Sequence, residues 1–144
     1  MMPEIDSVIR IPCTLDIDFY REWLLFLKPL INLTNRECDI AAAILNCRYK
    51  LSKSITDLGI LDEVTLSTKS YAEIQEECKI AGPHFNVVLN ELRKKKFLLS
   101  GKRINPKCIP HVREGAKSFS LLLMFDFGND ISGSSKTDSQ AAQP

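Results

Sequence analysis

The chain has 144 residues, 44% of them hydrophobic, and its 19 basic and 18 acidic side chains leave a formal net charge of +1. This length and apolar content suit one domain with a proper core, and the near-zero charge excludes nucleic-acid binding by bulk charge alone. The charge is unevenly placed, however. Residues 57–77 are acid-rich, and a basic run without any acid follows: Arg93, Lys94, Lys95, Lys96, Lys102, Arg103 and Lys107. We therefore expect a local basic surface on a roughly neutral protein.

The cysteines and histidines point away from metal chemistry. The five cysteines are odd in number and no two have C-x-x-C spacing, and Cys47 and Cys78 lie on apolar helical stripes, where thiols behave as small hydrophobes. This favours a reduced intracellular site of synthesis. With two histidines and no cluster of ligand residues, we predict neither a metal site nor a cofactor. We expect no secretory leader, and no apolar run approaches the length of a bilayer.

The first helix is unusually apolar. Before it, residues 1–15 read as an N-terminal arm, extended or in a short strand. Asp16 or Asp18 caps a helix from Phe19 to about Leu27, which Pro29 bends or ends. We expect its main face to carry Phe19, Trp23, Phe26, Leu27 and Leu30, widened by Tyr20, Leu24 and Leu25. Two interpretations stay open: burial in the core, or packing of part of this helix against another subunit.

A second helix begins with a recognisable cap. Thr34 and Glu37 have the spacing of a capping box, with Leu33 placed as the staple residue. The helix should continue to residue 49 or 51, and three successive alanines at 41–43 allow a neighbouring helix to approach closely. We expect Gly59 to break the chain and residues 60–66 to form one short helical turn.

Residues 67–107 form the best-defined pattern of the chain. Phe85, Val88, Leu89 and Leu92 lie at i, i+3, i+4 and i+7, and Pro83 suits the first position of their helix. A preceding stripe at 71, 74 and 78 is joined to it by the Gly-containing connection 80–82. Residues 96–99 and 103–104 then flank a tight turn at 100–102. Helix, turn, helix and two-stranded wing together predict a winged helix-turn-helix.

The C-terminal part changes character twice. Residues 119–127 are rich in strand formers and apolar on both faces, so we predict a late strand, buried on both sides or covered by a partner. Residues 128–144 are small and polar and should be disordered alone. The predicted fold class is therefore mainly α with a small β part, organised as an arm (1–15), a winged-helix domain (16–127) and a polar tail (128–144).

The outer face of the predicted recognition helix suggests DNA contacts. Asn86 and Asn90 could pair with base edges, while basic side chains contact phosphates and release counterions. Glu91 on the same face would repel the DNA backbone, and the alternative interpretation is a solvated helix face. The candidate DNA contacts are Asn86, Asn90, Arg93, Lys94, Lys95, Lys102 and Arg103.

Catalysis has little support in the sequence. Neither His84 nor His111 has a serine or cysteine nucleophile at an interpretable spacing, and no Gly-rich phosphate loop or paired-acid motif occurs. We therefore predict that the protein is not an enzyme. The surplus of large apolar side chains instead gives a candidate subunit interface at Phe19, Trp23, Phe26, Phe119, Phe125 and Phe127.

Residues 33–127 resemble small proteins of crAss-like tailed bacteriophages. The stretches that carry the resemblance are LTNRE at 33–37, YKLSK at 49–53, INPK at 104–107 and LLLMFDF at 121–127. The resemblance implies a virion protein, made in the host bacterial cytoplasm, that joins rings near the portal and neck. Its partners would be copies of itself and neighbouring portal or tail proteins. The helix-turn-helix part separately resembles winged-helix regulators and replication initiators.

Two hypotheses follow from these observations. In the first, the winged helix is a non-enzymatic scaffold, and the first helix, the late strand and both termini bind neighbours in a symmetric ring. In the second, the protein is a transcriptional or replication regulator that binds double-stranded DNA and dimerises through the helix at 19–30. We favour the first. Neither hypothesis includes a membrane partner.

Overall fold

The computed structural model of the chain describes residues 8–128. Its contacts divide it into two units, Met1–Pro110 and His111–Pro144. The described part is mainly helical with a small two-stranded sheet, which confirms the predicted class of mostly α with a little β. The division after Pro110 falls inside the predicted domain 16–127. The predicted arm and tail extend beyond the described residues, so their boundaries stay predictions.

The first unit consists of five helices and a short hairpin. The elements are α1 (Ile17–Ile31), α2 (Asn35–Leu51), α3 (Leu58–Thr65), α4 (Thr68–Cys78), α5 (Gly82–Lys94), β1 (Leu98–Leu99) and β2 (Arg103–Ile104). One turn of 3₁₀ helix follows at Pro106–Cys108. Among the described residues, none of the helices combines the length and apolar character needed to cross a membrane.

Helix α2 is the centre of the first unit and packs against α1, α3, α4 and α5. Its start confirms the predicted capping box: the Thr34 hydroxyl accepts the Glu37 N–H, and the Glu37 carboxylate accepts the Thr34 N–H. All residues from 40 to 46 are buried, as expected for a helix with neighbours on nearly every side. The small alanines at 41–43 allow these neighbours to pack closely.

Helix α1 differs from its prediction in its length and in the face that it buries. It begins at Ile17 after the Asp16 cap and continues past Pro29 to Ile31, where Asn32 ends it in the left-handed conformation. Its buried residues are Tyr20, Trp23, Leu24 and Leu27. The buried i, i+3, i+4, i+7 stripe therefore begins at Tyr20, one residue later than the predicted face, which was wrong at Phe19, Phe26 and Leu30. Leu30 is exposed, and Phe19 and Phe26 are half-buried.

Helix α3 corrects a second prediction. Gly59 does not break the chain but lies inside the first turn, because the Asp57 carboxylate caps the helix by accepting the Ile60 N–H. A cap that satisfies a free N–H outweighs the modest helix penalty of one glycine. The helix positions Asp62, whose carboxylate accepts hydrogen bonds from Arg48 Nε at 2.7 Å and the Ile104 N–H at 3.1 Å. Asp62 thus ties α2 and β2 to α3.

Helix α5 has the predicted burial, whereas in the predicted α4 stripe only Ile74 is buried and Tyr71 and Cys78 are half-buried. Phe85, Val88, Leu89 and Leu92 are buried, which confirms the stripe, and Asn86 and Asn90 are exposed. Ser67 caps α4, and Lys79 ends it in the left-handed conformation. In the hairpin, Leu98 is paired with Ile104 and Leu99 with Arg103, in antiparallel register. Gly101 has a φ of 77°, which explains glycine in this turn.

The second unit, described from 111 to 128, contains neither helix nor strand in that range. The strand predicted at 119–127 is therefore wrong for this single chain. A strand requires a neighbouring backbone for its hydrogen bonds, and apolar composition alone does not provide one. Every side chain from 121 to 127 is exposed.

Candidate interaction surfaces

The outer surface of α5 presents most of the predicted DNA contacts. Asn86 and Asn90 are exposed on this helix. Arg93 donates a hydrogen bond to Asn90 Oδ1 at 2.7 Å, and Lys94 Nζ lies 3.3 Å from Glu91 Oε2. Both contacts join residues one helical turn apart at the surface, so they are weak and exchangeable with solvent or a ligand. The Lys94 contact also offsets the negative charge of Glu91.

The hairpin contributes two further cations. Lys102 and Arg103 are exposed at the turn and at the start of β2. No acidic side chain of the described residues forms an ion pair with either of them. The structure therefore leaves two cations of the hairpin without a charged partner in the part of the chain that it describes.

Lys95 is not part of this surface. Its Nζ lies 2.6 Å from Glu37 Oε1, and the two side chains are only 19% and 7% exposed. Burial alone would raise the pKa of Glu37, but hydrogen bonds from Lys95 and the Thr34 N–H outweigh it and hold that pKa below its usual value. Lys95 therefore joins the end of α5 to the start of α2. The partners are 58 residues apart, and the basic run around Lys95 gave no signal of this pairing.

A cavity of about 160 Å³ lies beside the hairpin, α4 and α5. Its lining consists of Leu66, Tyr71, Arg93, Leu98, Leu99, Ser100, Gly101 and Lys102. Two of these side chains are cations and none is acidic. Sequence analysis missed this cavity, because Leu66 and Tyr71 precede the basic run by more than twenty residues.

Tyr71 is held in place beside this cavity. Its ring packs edge-to-face on Phe85, with 5.2 Å between the ring centroids. Burial raises the pKa of the Tyr71 hydroxyl, although nearby Arg93 opposes this effect. The hydroxyl is therefore protonated at neutral pH and able to donate a hydrogen bond.

The predicted subunit-interface residues fall into two groups. Trp23 is buried, and its Nε1 donates a hydrogen bond to the Cys108 carbonyl at 2.8 Å, which places it in the core of the first unit. Phe26 stacks on Trp23 and Phe19 contacts Tyr20, so both are partly covered. The apolar pattern of α1 overstates this face, because the contact between α1 and the turn at Pro106–Cys108 leaves no signal in the sequence.

The remaining candidates lie in the second unit. Phe119 is half-buried, whereas Phe125 and Phe127 are 75% and 91% exposed. The exposure extends to residues that the prediction did not name: Leu121, Leu122, Leu123 and Met124. We call residues 121–127 the apolar segment. It is the longest run of exposed large apolar side chains in the described chain.

The described residues offer little that could support catalysis. Burial raises the pKa of the thiols of Cys38, Cys47, Cys78 and Cys108, which keeps them protonated and poorly nucleophilic. Within residues 8–128, no three or more His, Cys, Asp and Glu side chains come together as a metal site. His84 and His111 are exposed. The absence of enzyme activity, metal and cofactor stays a prediction.

A scan against protein-family models found no match, and searches of curated proteins and of solved structures found none either.

Proposed function

We propose that this chain is a non-enzymatic assembly protein of a tailed-phage virion, acting in a ring of like subunits at the portal or neck. The observation that carries the proposal is the apolar segment, in which six of seven successive side chains are large, apolar and exposed. A contiguous exposed apolar patch marks a surface that binds another protein. The placement in a virion is supported by the resemblance of residues 33–127 to proteins of crAss-like phages.

The apolar segment has enough surface to drive association. Complete burial of one large apolar side chain contributes about 1.5–3 kcal/mol, so the six together offer on the order of 10 kcal/mol. Ordering the segment and joining two chains oppose this gain. A ring repeats the contact at every subunit, so even a modest surplus per contact gives a stable assembly.

The proposal includes a winged-helix scaffold. In it, α4 and α5 are the helix-turn-helix and the β1–β2 hairpin is the wing. The left-handed turn at Lys79, the buried stripe of α5 and the hairpin register support this interpretation. In the proposed role, the scaffold holds a rigid surface toward neighbouring subunits.

Mass spectrometry of purified phage particles tests the assembly function. We expect the chain in several copies per particle, and we expect Leu122→Ser with Phe125→Ser to abolish its incorporation. Ile60→Ser with Val87→Ser is the matched control, because these two side chains are 51% and 57% exposed in the first unit. Particles that lack the wild-type chain would contradict the proposal.

A second candidate is binding of duplex DNA by a regulator that dimerises through α1. It is favoured by the exposed amides of Asn86 and Asn90 and by the exposed hairpin cations Lys102 and Arg103, which form no ion pair within residues 8–128. Fluorescence anisotropy with duplex DNA over a range of salt concentrations tests it. The slope of log affinity against log salt concentration measures the number of phosphate contacts. Lys102→Ala with Arg103→Ala should reduce the magnitude of this slope by about 1.8, because two contacts of about 0.9 each are lost. Lys50→Ala with Lys117→Ala, far from the hairpin in sequence, is the control. A slope that is unchanged by the hairpin substitutions would contradict this candidate.

A further inference from the structure

The cavity beside the hairpin is lined by two chemically different kinds of side chain. Leu66, Leu98 and Leu99 are apolar, whereas Arg93 and Lys102 are cationic. No acidic side chain lines it. A cavity of this kind fits a ligand that is itself both apolar and anionic, because each half of the ligand then meets its complement.

The apolar segment contains one triplet of this composition, Phe125-Asp126-Phe127. Asp126 is the only acid between 121 and 127. One of its carboxylate oxygens accepts the Gly128 N–H at 3.0 Å, and no basic side chain among residues 8–128 pairs with it. The rings on either side are among the most exposed apolar groups in the described chain.

We propose that the Phe125-Asp126-Phe127 triplet of one copy inserts into this cavity of a second copy. The inference rests on the proposed assembly function and identifies its contact. The Asp126 carboxylate pairs with Arg93 and Lys102, and the Tyr71 hydroxyl is a further donor near it. A volume of about 160 Å³ accommodates the carboxylate and part of one ring. The other ring then packs on Leu99, which is half-buried.

The proposed contact is heterologous, because the donating segment and the receiving cavity are different surfaces. Each copy can therefore donate to one neighbour and receive from another. Contacts of this type build closed rings when the rotation between neighbours closes, and filaments when it does not. The inference thus supplies the head-to-tail contact that a ring requires.

Reversal of the charges at Arg93, Lys102 and Asp126 in the full chain tests the contact. Sedimentation and mass photometry measure the mass of the particles that form. Arg93→Glu with Lys102→Glu should weaken association at least about tenfold, and so should Asp126→Lys. All three substitutions together should restore it, because the charges are again complementary. Lys69→Glu with Lys107→Glu is the control: it makes the same change in net charge at exposed residues outside the cavity and should leave association intact.

The contact would be overturned by a monomeric wild-type protein, by an Asp126→Lys variant that associates normally, or by a triple variant that fails to recover. Loss of duplex DNA binding in Arg93→Glu with Lys102→Glu, with association unchanged, would make the cavity a phosphate site instead. Circular dichroism checks that each variant is folded. If the cavity variant unfolds, Asp126→Lys still tests the contact, because Asp126 lies in the exposed apolar segment. Incorporation of Asp126→Lys into virions would overturn this contact alone, whereas absence of the wild-type chain from virions would contradict the assembly function.

Discussion

Phenylalanines in the two units of this chain have opposite surroundings. Phe85 and Phe97 in the first unit are fully buried, whereas Phe125 and Phe127 in the second are largely exposed. Phe85 belongs to a stripe of helical period, so one helix face buries it together with Leu89 and Leu92. The apolar segment is apolar at nearly every position, so one face of a helix or strand could bury only part of its side chains. A core therefore depends on the period of the apolar residues as well as on their number.

The largest predicted effect is on the core. Phe85→Ala should lower the free energy of unfolding by about 3–5 kcal/mol, because it removes a fully buried ring and leaves a cavity. The matched change Phe125→Ala should alter unfolding of the isolated protein by less than about 0.5 kcal/mol. Urea unfolding of both variants, at concentrations where the protein is monomeric, measures the difference. Equal effects would mean that Phe125 is buried within its own chain.

The next effect concerns the buried ion pair of the first unit. The side chains of Arg48 and Asp62 are 16% and 11% exposed, and Asp62 also accepts the Ile104 N–H. Asp62→Ala leaves two buried donors unsatisfied and should cost about 3 kcal/mol. Glu91→Ala removes a surface pair with Lys94 and should cost less than about 1 kcal/mol. Denaturant titration compares them, and a cost for Asp62→Ala as small as that for Glu91→Ala would contradict this account.

A smaller effect should depend on pH. The pKa of Glu37 is lower in the folded protein than in the unfolded chain, so its ionised form stabilises the fold. This contribution is fully present above the unfolded pKa of about 4.3 and is lost as pH falls through the lower folded value. Glu37→Gln should therefore be less stable than wild type at pH 7, and the difference should shrink below pH 4. Urea midpoints from pH 7 to pH 2.5 provide the measurement. A constant difference would exclude ionisation as its cause.

The smallest effect compares two glycines with similar positive φ angles. Gly101 in the hairpin has φ 77° and Gly128 in the second unit has φ 73°, and a Cβ would meet no atom within 4 Å at either. Gly101→Ala should cost about 1 kcal/mol, because the hairpin register fixes the left-handed conformation there. Gly128→Ala should leave unfolding unchanged. Thermal unfolding distinguishes them, and a larger loss for Gly128→Ala would show that residue 128 is part of the cooperative fold.

Local patterns could be predicted from the sequence wherever partners lie within a few residues. The stripe of α5, the capping box of Thr34 and Glu37 and the glycine turn of the hairpin are all of this kind, and the structure confirms them. Each depends on one helical turn or one tight turn, so spacing alone fixes the geometry.

Contacts between distant residues could not be predicted in the same way. The basic neighbours of Lys95 predict a DNA contact, but Glu37 holds Lys95 inside the first unit. The apolar character of α1 on many sides predicts a subunit interface at Trp23, but Trp23 is buried and bonded to Cys108 in the turn at Pro106–Cys108. In both residues the deciding partner is more than fifty positions away, and one sequence carries no pairing signal at that distance.

The hydrogen bond from Trp23 to Cys108 also gives the protein an internal optical probe. Trp23 is the only tryptophan of the chain, and its indole is buried in the first unit. Indole emission shifts to longer wavelength when the ring meets water, so intrinsic fluorescence follows opening of this unit. The apolar segment contains no tryptophan. Emission wavelength can therefore monitor the integrity of the first unit while particle mass reports association, with no added label.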